Sequence, residues 1–316
     1  MLAVCLYKGA VFLRDERRPR RPERFALIRL LSGGICTTDL ELQRGYYGYQ
    51  GTPGHEFVGE VISADDPHWI GQRVVGEINL ACGKCEWCRR GLGRHCPRRT
   101  VLGIVKQPGA FREFLTLPLD NLHRVPREMP TEQAVFVEPL AAACEILDQV
   151  RIPRGAPVAV LGDGKLGLLI GQVLKAHGAE VHLYGHHKEK LRIADELGID
   201  GRARKKAPAA SYDWVVDATG SSLGLVQSIK MARPRGTVIL KSTVHGLVGI
   251  DTAPVIVNEI TLVGSRCGRF EPALKLLRSG KVRVEKLISE TLPLNKAPLA
   301  FRRAAQPGAL KVLLNG

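Results

Sequence analysis

Aromatic side chains are scarce in this chain, making up 5% of 316 residues with only three tryptophans. A surface that stacks successive bases needs aromatics interleaved with its cations. The densest basic stretches, "RDERRPRRPER" (14–24) and "GRARKK" (201–206), contain none. Lys and Arg nonetheless outnumber Asp and Glu by 46 to 31, for a net charge of +15 and a pI of 9.7. Most of that surplus is scattered arginine, which favours anionic ligands at low salt but predicts no specific nucleic-acid partner. No run of about 18 apolar residues occurs, which argues against a membrane-spanning helix. The opening "MLAVCLYKGAVFLRDERR" lacks the basic, apolar and small-residue regions of a secretory leader, so a cytoplasmic protein is expected. Repeats and low-complexity segments are absent. At 45% hydrophobic content the chain can bury a large core, and two domains are expected from its length.

Cysteine is also sparse, with eight residues, yet four of them crowd into "ACGKCEWCRRGLGRHCP" (81–97). In a reducing compartment such spacing points to a metal rather than to disulfides. The pattern C-x2-C-x2-C-x7-C lets one loop wrap Cys82, Cys85, Cys88 and Cys96 around a tetrahedral zinc ion. Four sulfurs leave no open coordination position, so this zinc is expected to be structural. A DNA-reading finger would need a following histidine pair, and none is there. Cys5, Cys144 and Cys267 have no ligand-like company and read as packing residues.

The second half alternates strand and helix patterns. "APVAVLGDGKLGLLIGQVLKAHGAEVHLYG" (156–185) reads as strand, glycine turn, amphipathic helix and strand, the unit that binds a dinucleotide. The turn comprises Gly162, Asp163, Gly164, Lys165, Leu166 and Gly167. Its first glycine permits the tight turn, its second admits the pyrophosphate, and its third lets helix and strand pack closely. "WVVDATG" (214–220), "GTVILKS" (236–242) and "ITLVGS" (260–265) add strands, so a doubly wound parallel sheet is predicted. Ligands of such sheets sit at the strand C-termini, where Asp217 to Gly220, including Ala218 and Thr219, and Lys241 to Thr243, including Ser242, would border the cofactor.

The second strand of this unit ends at Gly185, followed by His186, His187 and Lys188. An NAD site normally carries Asp or Glu there to bind the ribose hydroxyls. With no carboxylate at that point to repel a 2′-phosphate, NADP is favoured over NAD, and Gly185→Asp is expected to shift the preference back.

The first half offers Cys36 in "SGGICTTDLEL", His55 and Glu56 in "GTPGHEFVGEV", and Glu138 in "AVFVEPLAAACEIL". A thiolate, an imidazole and one or two carboxylates would make a zinc site with a position open to substrate.

Taken together, these motifs resemble the zinc-containing medium-chain dehydrogenase/reductase family over nearly the whole chain. Glu138, where liver-type alcohol dehydrogenases carry a second cysteine ligand, makes the match closer to the branch with sorbitol and threonine dehydrogenases. The resemblance implies an α/β protein with a GroES-like, β-rich catalytic domain over 1–125 and 286–316. A Rossmann domain would fill 126–285. It implies a hydride transfer between NAD(P) and an alcohol: a polyol, sugar, amino alcohol or secondary alcohol. Two zinc ions per chain are expected, and a homodimer or homotetramer. Cys36 and His55 would ligate the catalytic zinc, with Glu56 or Glu138 completing it. Thr38 would hydrogen-bond the alcohol, with Asp39 beside it. Departures are Gln72 in place of the usual aspartate, and Glu41 where liver-type enzymes relay protons through histidine. The alternatives are a zinc-independent enone or quinone reductase, or a non-catalytic binding protein on the same scaffold.

Overall fold

The structure, a computed structural model, describes residues 1–244 and 247–316. The chain divides into two compact units, Met1–Glu138 with Leu287–Gly316, and Pro139–Lys286. The sequence reading draws its first boundary at 125. In the structure the segment through Glu138 goes with the first unit, where Val135 and Phe136 are buried.

The first unit is β-rich. Its main sheet runs in the order Leu122–Arg124, Arg73–Gly76, Glu56–Ser63, Phe25–Gly34, Lys311–Asn315, Ile288–Pro293, with Phe114–Pro118 also paired to Phe25–Gly34. Strand Phe25–Gly34 is the hub. Its sequence FALIRLLSGG is apolar with little alternation and is buried over most of its length, as expected of a strand covered on both faces. The pairing matters for the chemistry: Gly34 stands opposite Glu56 on one side and opposite Leu313 on the other. The chain from Cys82 to Cys96 projects as a loop with one short helix, Glu86–Arg89, and one turn of tighter helix, Gly93–His95.

The second unit follows the alternation read from the sequence. Its elements are β1 (Pro157–Leu161), α1 (Lys165–His177), β2 (Glu180–Gly185), α2 (Lys188–Glu196) and β3 (Asp200–Ala203). They continue with β4 (Tyr212–Asp217), α3 (Ser222–Met231), β5 (Ala232–Leu240), β6 (Thr261–Gly264) and α4 (Phe270–Arg278). All pairs are parallel and the order is β3-β2-β1-β4-β5-β6. That is the arrangement of a dinucleotide-binding sheet. Burial explains α1: Leu168, Leu169, Ile170, Val173 and Leu174 are all enclosed, and Gly178 at φ 104° ends the helix. A left-handed residue at that point costs glycine nothing.

Candidate functional site

The four-sulfur loop is compact. Cys85 Sγ lies 3.4 Å from Cys88 Sγ and 3.6 Å from Cys96 Sγ, and Cys82 lies 3.9 Å from Cys88. Thiolates about 2.3 Å from a tetrahedral zinc stand about 3.8 Å apart, so the donor set fits that ion. A backbone N–H from Lys84 helps pull the Cys82 thiol down to about 6. Desolvation and the neighbouring Cys85 sulfur push Cys88 up to about 11.

The second cluster is assembled from separate elements. One ligand atom each from Cys36, His55 and Glu56 lies within 4.8 Å of the other two. Cys36 precedes helix Thr37–Gln43, whose first turn supplies the anchor of the cluster, Asp39. The Asp39 carboxylate is fully buried and accepts the backbone N–H of Cys36 at 2.8 Å and that of Gly54 at 3.1 Å. It also stands 3.4 Å from His55 Nδ1. Burial works against a charge on His55, and the Asp39 carboxylate outweighs it, holding the imidazole well above its usual range. One buried carboxylate therefore fixes the backbone at Cys36 and at Gly54 and sets its charge beside the imidazole, whose Nδ1 has no hydrogen-bond partner; a carboxylate so placed is usual in the outer sphere of a metal. Thr38, half-buried, has its hydroxyl 3.8 Å from Cys36 Sγ.

Glu56 is enclosed completely, and its Oε2 is ion-paired with Lys311 Nζ, also fully buried. Oε1 has no hydrogen-bond partner, an expensive state for a buried carboxylate oxygen. That orphaned atom, with a thiol and an imidazole beside it, fits a zinc ion. Glycine makes the ion pair possible: a side-chain carbon at Gly34 would fall 2.6 Å from Glu56 Oε2 and 3.1 Å from Lys311 Cδ. Burial disfavours charge on Lys311, and the Glu56 carboxylate outweighs it and raises its pKa. Sequence reasoning missed Lys311. Its only trace is a lysine opening an apolar run, "KVLL". Glu138 is half-buried at the start of helix Val137–Gln149 and is not within 4.8 Å of all three cluster atoms.

In the second unit, the residues expected at the cofactor line the C-terminal ends of β1, β2, β4 and β5. Gly162 has φ +116°, which other residues adopt only with strain, and a carbon added at Gly167 would fall 1.9 Å from the Gly162 carbonyl oxygen. Gly164 faces open space, as a pyrophosphate at the N-terminus of α1 (Lys165, Leu166 onward) requires. Thr219 donates its backbone N–H and its hydroxyl to Asp217 Oδ1 at 3.0 and 2.7 Å, beside half-buried Ala218. The Lys241 ammonium donates to Ser265 Oγ at 2.9 Å and to the Arg266 carbonyl at 2.7 Å, ahead of half-buried Ser242.

One expectation needs correction. The end of β2 is not free of carboxylate, because Asp163 reaches across from the glycine turn. Its Oδ2 accepts the N–H groups of His186 and His187, each at 2.7 Å, and its Oδ1 lies 3.0 Å from His187 Nδ1. Desolvation would raise the Asp163 pKa, but these donors outweigh it and hold the carboxyl below its usual range. A carbon at Gly185 would fall 2.3 Å from Asp163 Oδ2. Gly185→Asp is therefore a steric conflict as well as an added charge, and by itself is a poor test of cofactor choice. Lys188 begins α2, exposed.

The chain is similar to known proteins over nearly its whole length. Residues 22–127 match the alcohol dehydrogenase GroES-like domain, and residues 166–279 match the zinc-binding dehydrogenase domain. A D-altritol 5-dehydrogenase of Agrobacterium fabrum is 30% identical, over 96% of each chain. A sorbitol dehydrogenase of Halalkalibacterium halodurans is 28% identical, over 97% of this chain and 96% of its own. The solved structure of a zinc-binding dehydrogenase from Sinorhizobium meliloti bound to NADP is 28% identical. It superposes with a TM-score of 0.92, covering 100% of this chain and 99% of that one. Such relatives favour a dehydrogenase over either alternative drawn from the sequence. A GroES-like unit with two metal-ligand clusters, a 3-2-1-4-5-6 parallel sheet and these full-length likenesses carry one conclusion: the chain belongs to the zinc-type medium-chain dehydrogenase/reductase family of alcohol oxidoreductases.

Proposed function

We propose that this enzyme interconverts a polyol or sugar-derived secondary alcohol and its carbonyl compound, with NADP(H) preferred over NAD(H). Two zinc ions per chain are part of the proposal, one structural at Cys82, Cys85, Cys88 and Cys96, and one catalytic. The observation that carries it is the orphaned Glu56 Oε1 beside Cys36 and His55 in a buried cluster. Cys36, His55 and Glu56 would hold the catalytic ion, with Glu138 left to an outer role. Zinc bound there supplies a Lewis acid that lowers the pKa of a bound alcohol, as it does for water.

The chain's own residues do the rest. Asp39 keeps the Cys36 turn and the His55 ring in register, and Lys311 occupies Glu56 Oε2 so that Oε1 is the free donor. The Thr38 hydroxyl, close to Cys36, accepts the alcohol proton and passes it toward solvent. A nicotinamide dinucleotide held by the second unit would supply the hydride acceptor. The Gly162 to Gly167 turn and the N-terminus of α1 hold its pyrophosphate. NADP preference is supported by the cations after β2 and by the NADP-bound relative. A dimer or tetramer is proposed as well. Exposed Leu262 on the free edge strand β6, with exposed Ile256 and Val257 shortly before it, supports that assembly. Among the described residues no helix is long and apolar enough to cross a membrane, and a cytoplasmic location is proposed on the cysteine usage.

The test follows absorbance at about 340 nm, where reduced nicotinamide absorbs. Zinc-loaded protein is given NADP⁺ or NAD⁺ with polyols, sugars, amino alcohols and secondary alcohols. Turnover on polyols, faster with NADP⁺, is the expected result. Dinucleotide binding without turnover on any alcohol would overturn the substrate class.

A further inference from the structure

Asp163 arranges the end of β2 so that its carboxylate faces inward while His186 and Lys188 face outward. Both of its oxygens are engaged with the His186–His187 turn, and the residue is only 7% exposed. His186 itself is exposed. The neighbouring strand brings a cation to the same place. Gly185 pairs with Ala203 in register, so the chain leaves β3 directly beside the β2 turn, and the next residue is Arg204. Its Nη1 donates to His186 Nε2 at 3.2 Å, and its Nε donates to Gln227 Oε1 on α3. Gln227 Nε2 returns a hydrogen bond to the Arg204 carbonyl at 3.3 Å. The guanidinium is therefore held by an amide rather than neutralised by a hydrogen-bonded carboxylate. Its charge is felt at Asp217, whose Oδ1 already accepts two hydrogen bonds from Thr219. Exposed Lys205 and Lys206 follow and add to the local positive field.

A half-buried guanidinium pre-positioned by an amide is suited to a planar, bidentate anion contact. In sheets of this type, the end of the second strand is where the adenosine ribose of a dinucleotide lies. We propose that Arg204, clamped by Gln227 and joined by His186, is the specificity-determining residue that binds a phosphomonoester dianion, the 2′-phosphate of NADP(H). Asp163 accepts the backbone N–H of His186 and so holds the turn that carries it. This assignment rests on the NADP reading and names the side chains that would produce it.

The experiment is calorimetric titration of the zinc-loaded protein with adenosine 2′,5′-bisphosphate and, separately, with 5′-AMP, two ligands that differ only by the phosphate in question. The wild type is expected to prefer the bisphosphate. Arg204→Gln is expected to shrink that preference about tenfold or more, the worth of a charge-assisted bidentate contact. Arg204→Lys keeps the charge without the fork and should shrink it by a few-fold. It serves if the glutamine variant does not fold. A general loss of structure would lower both affinities and leave their ratio alone. A wild-type preference that both variants retain overturns Arg204 as the reader while leaving the NADP reading intact. A wild type that binds both ligands equally removes the NADP reading and this inference with it.

Discussion

Two clusters of metal-ligand side chains in the same unit are built on opposite principles. The cysteine loop takes all four sulfurs from fifteen consecutive positions. Three of them are half-exposed, and only Cys96 is buried. The mixed cluster draws on a helix start, a strand start and, through Lys311, a strand 255 positions from Glu56. His55, Glu56, Asp39 and Lys311 are all buried there. A structural site needs only that its ligands be held together, and one loop can do that. A reactive site needs one coordination position kept open and every other group oriented, which takes several elements and buried partners.

That contrast can be broken most severely at Cys36. Cys36→Ser is expected to lower turnover about a thousandfold or more by removing the Lewis acid. Metal analysis should show one zinc equivalent lost, with dinucleotide titration little changed; full activity would sink the assignment. Next in size is the buried ion pair. Lys311→Met leaves the Glu56 carboxylate enclosed without its partner and should cost about 3–5 kcal/mol in denaturant unfolding of the metal-free protein. Adding Glu56→Gln should return a large part of that loss. A double variant no more stable than Lys311→Met would mean that the pair contributes nothing specific.

The cysteine loop should respond differently. Cys88→Ser is expected to remove the other zinc equivalent and lower Tm by about 5–10 °C, while kcat per folded molecule stays within about twofold. A collapse of kcat at unchanged Tm would reverse the roles of the two clusters. The smallest effect is expected at Asp39, which acts through its neighbours. Asp39→Asn should weaken zinc retention at the mixed cluster about tenfold against a competing chelator, with the cysteine loop unaffected. Equal loosening of both ions would show that Asp39 supports the unit as a whole.

The differing ease of reading these regions has a physical cause. The C-x2-C-x2-C-x7-C spacing and the glycine turn 162–167 are local. Turn geometry, ligand reach and helix start all act within a few residues, so the string carries them directly. The strand and helix alternation of the second unit was equally legible, because each segment's apolar pattern shows which faces it buries. Cys36, His55 and Glu56 qualify as zinc ligands by residue type alone, but each is weak evidence singly, and the family resemblance is what joins them. Glu138 and Glu56 are both carboxylates able to ligate zinc, and nothing in the sequence says which one does. In the sequence Asp163 is an ordinary member of the turn. Its carboxylate lands on backbone groups 23 and 24 positions away, a contact with no periodic signature.

What the sequence determined by itself was the set of local units: a loop able to hold a tetrahedral ion, a turn able to hold a pyrophosphate, and a succession of segments that must pair into sheets. Tertiary structure decided which distant side chains meet. The register that sets Gly34 between Glu56 and Leu313 brings Lys311 to Glu56. The parallel pairing of β2 with β3 sets Arg204 beside His186. Such meetings depend on the alignment of strands far apart in the chain, and shifting a strand by one residue turns every side chain to the opposite face. Local chemistry is therefore written in the string, while the partners of a buried charge are fixed only when the sheets close.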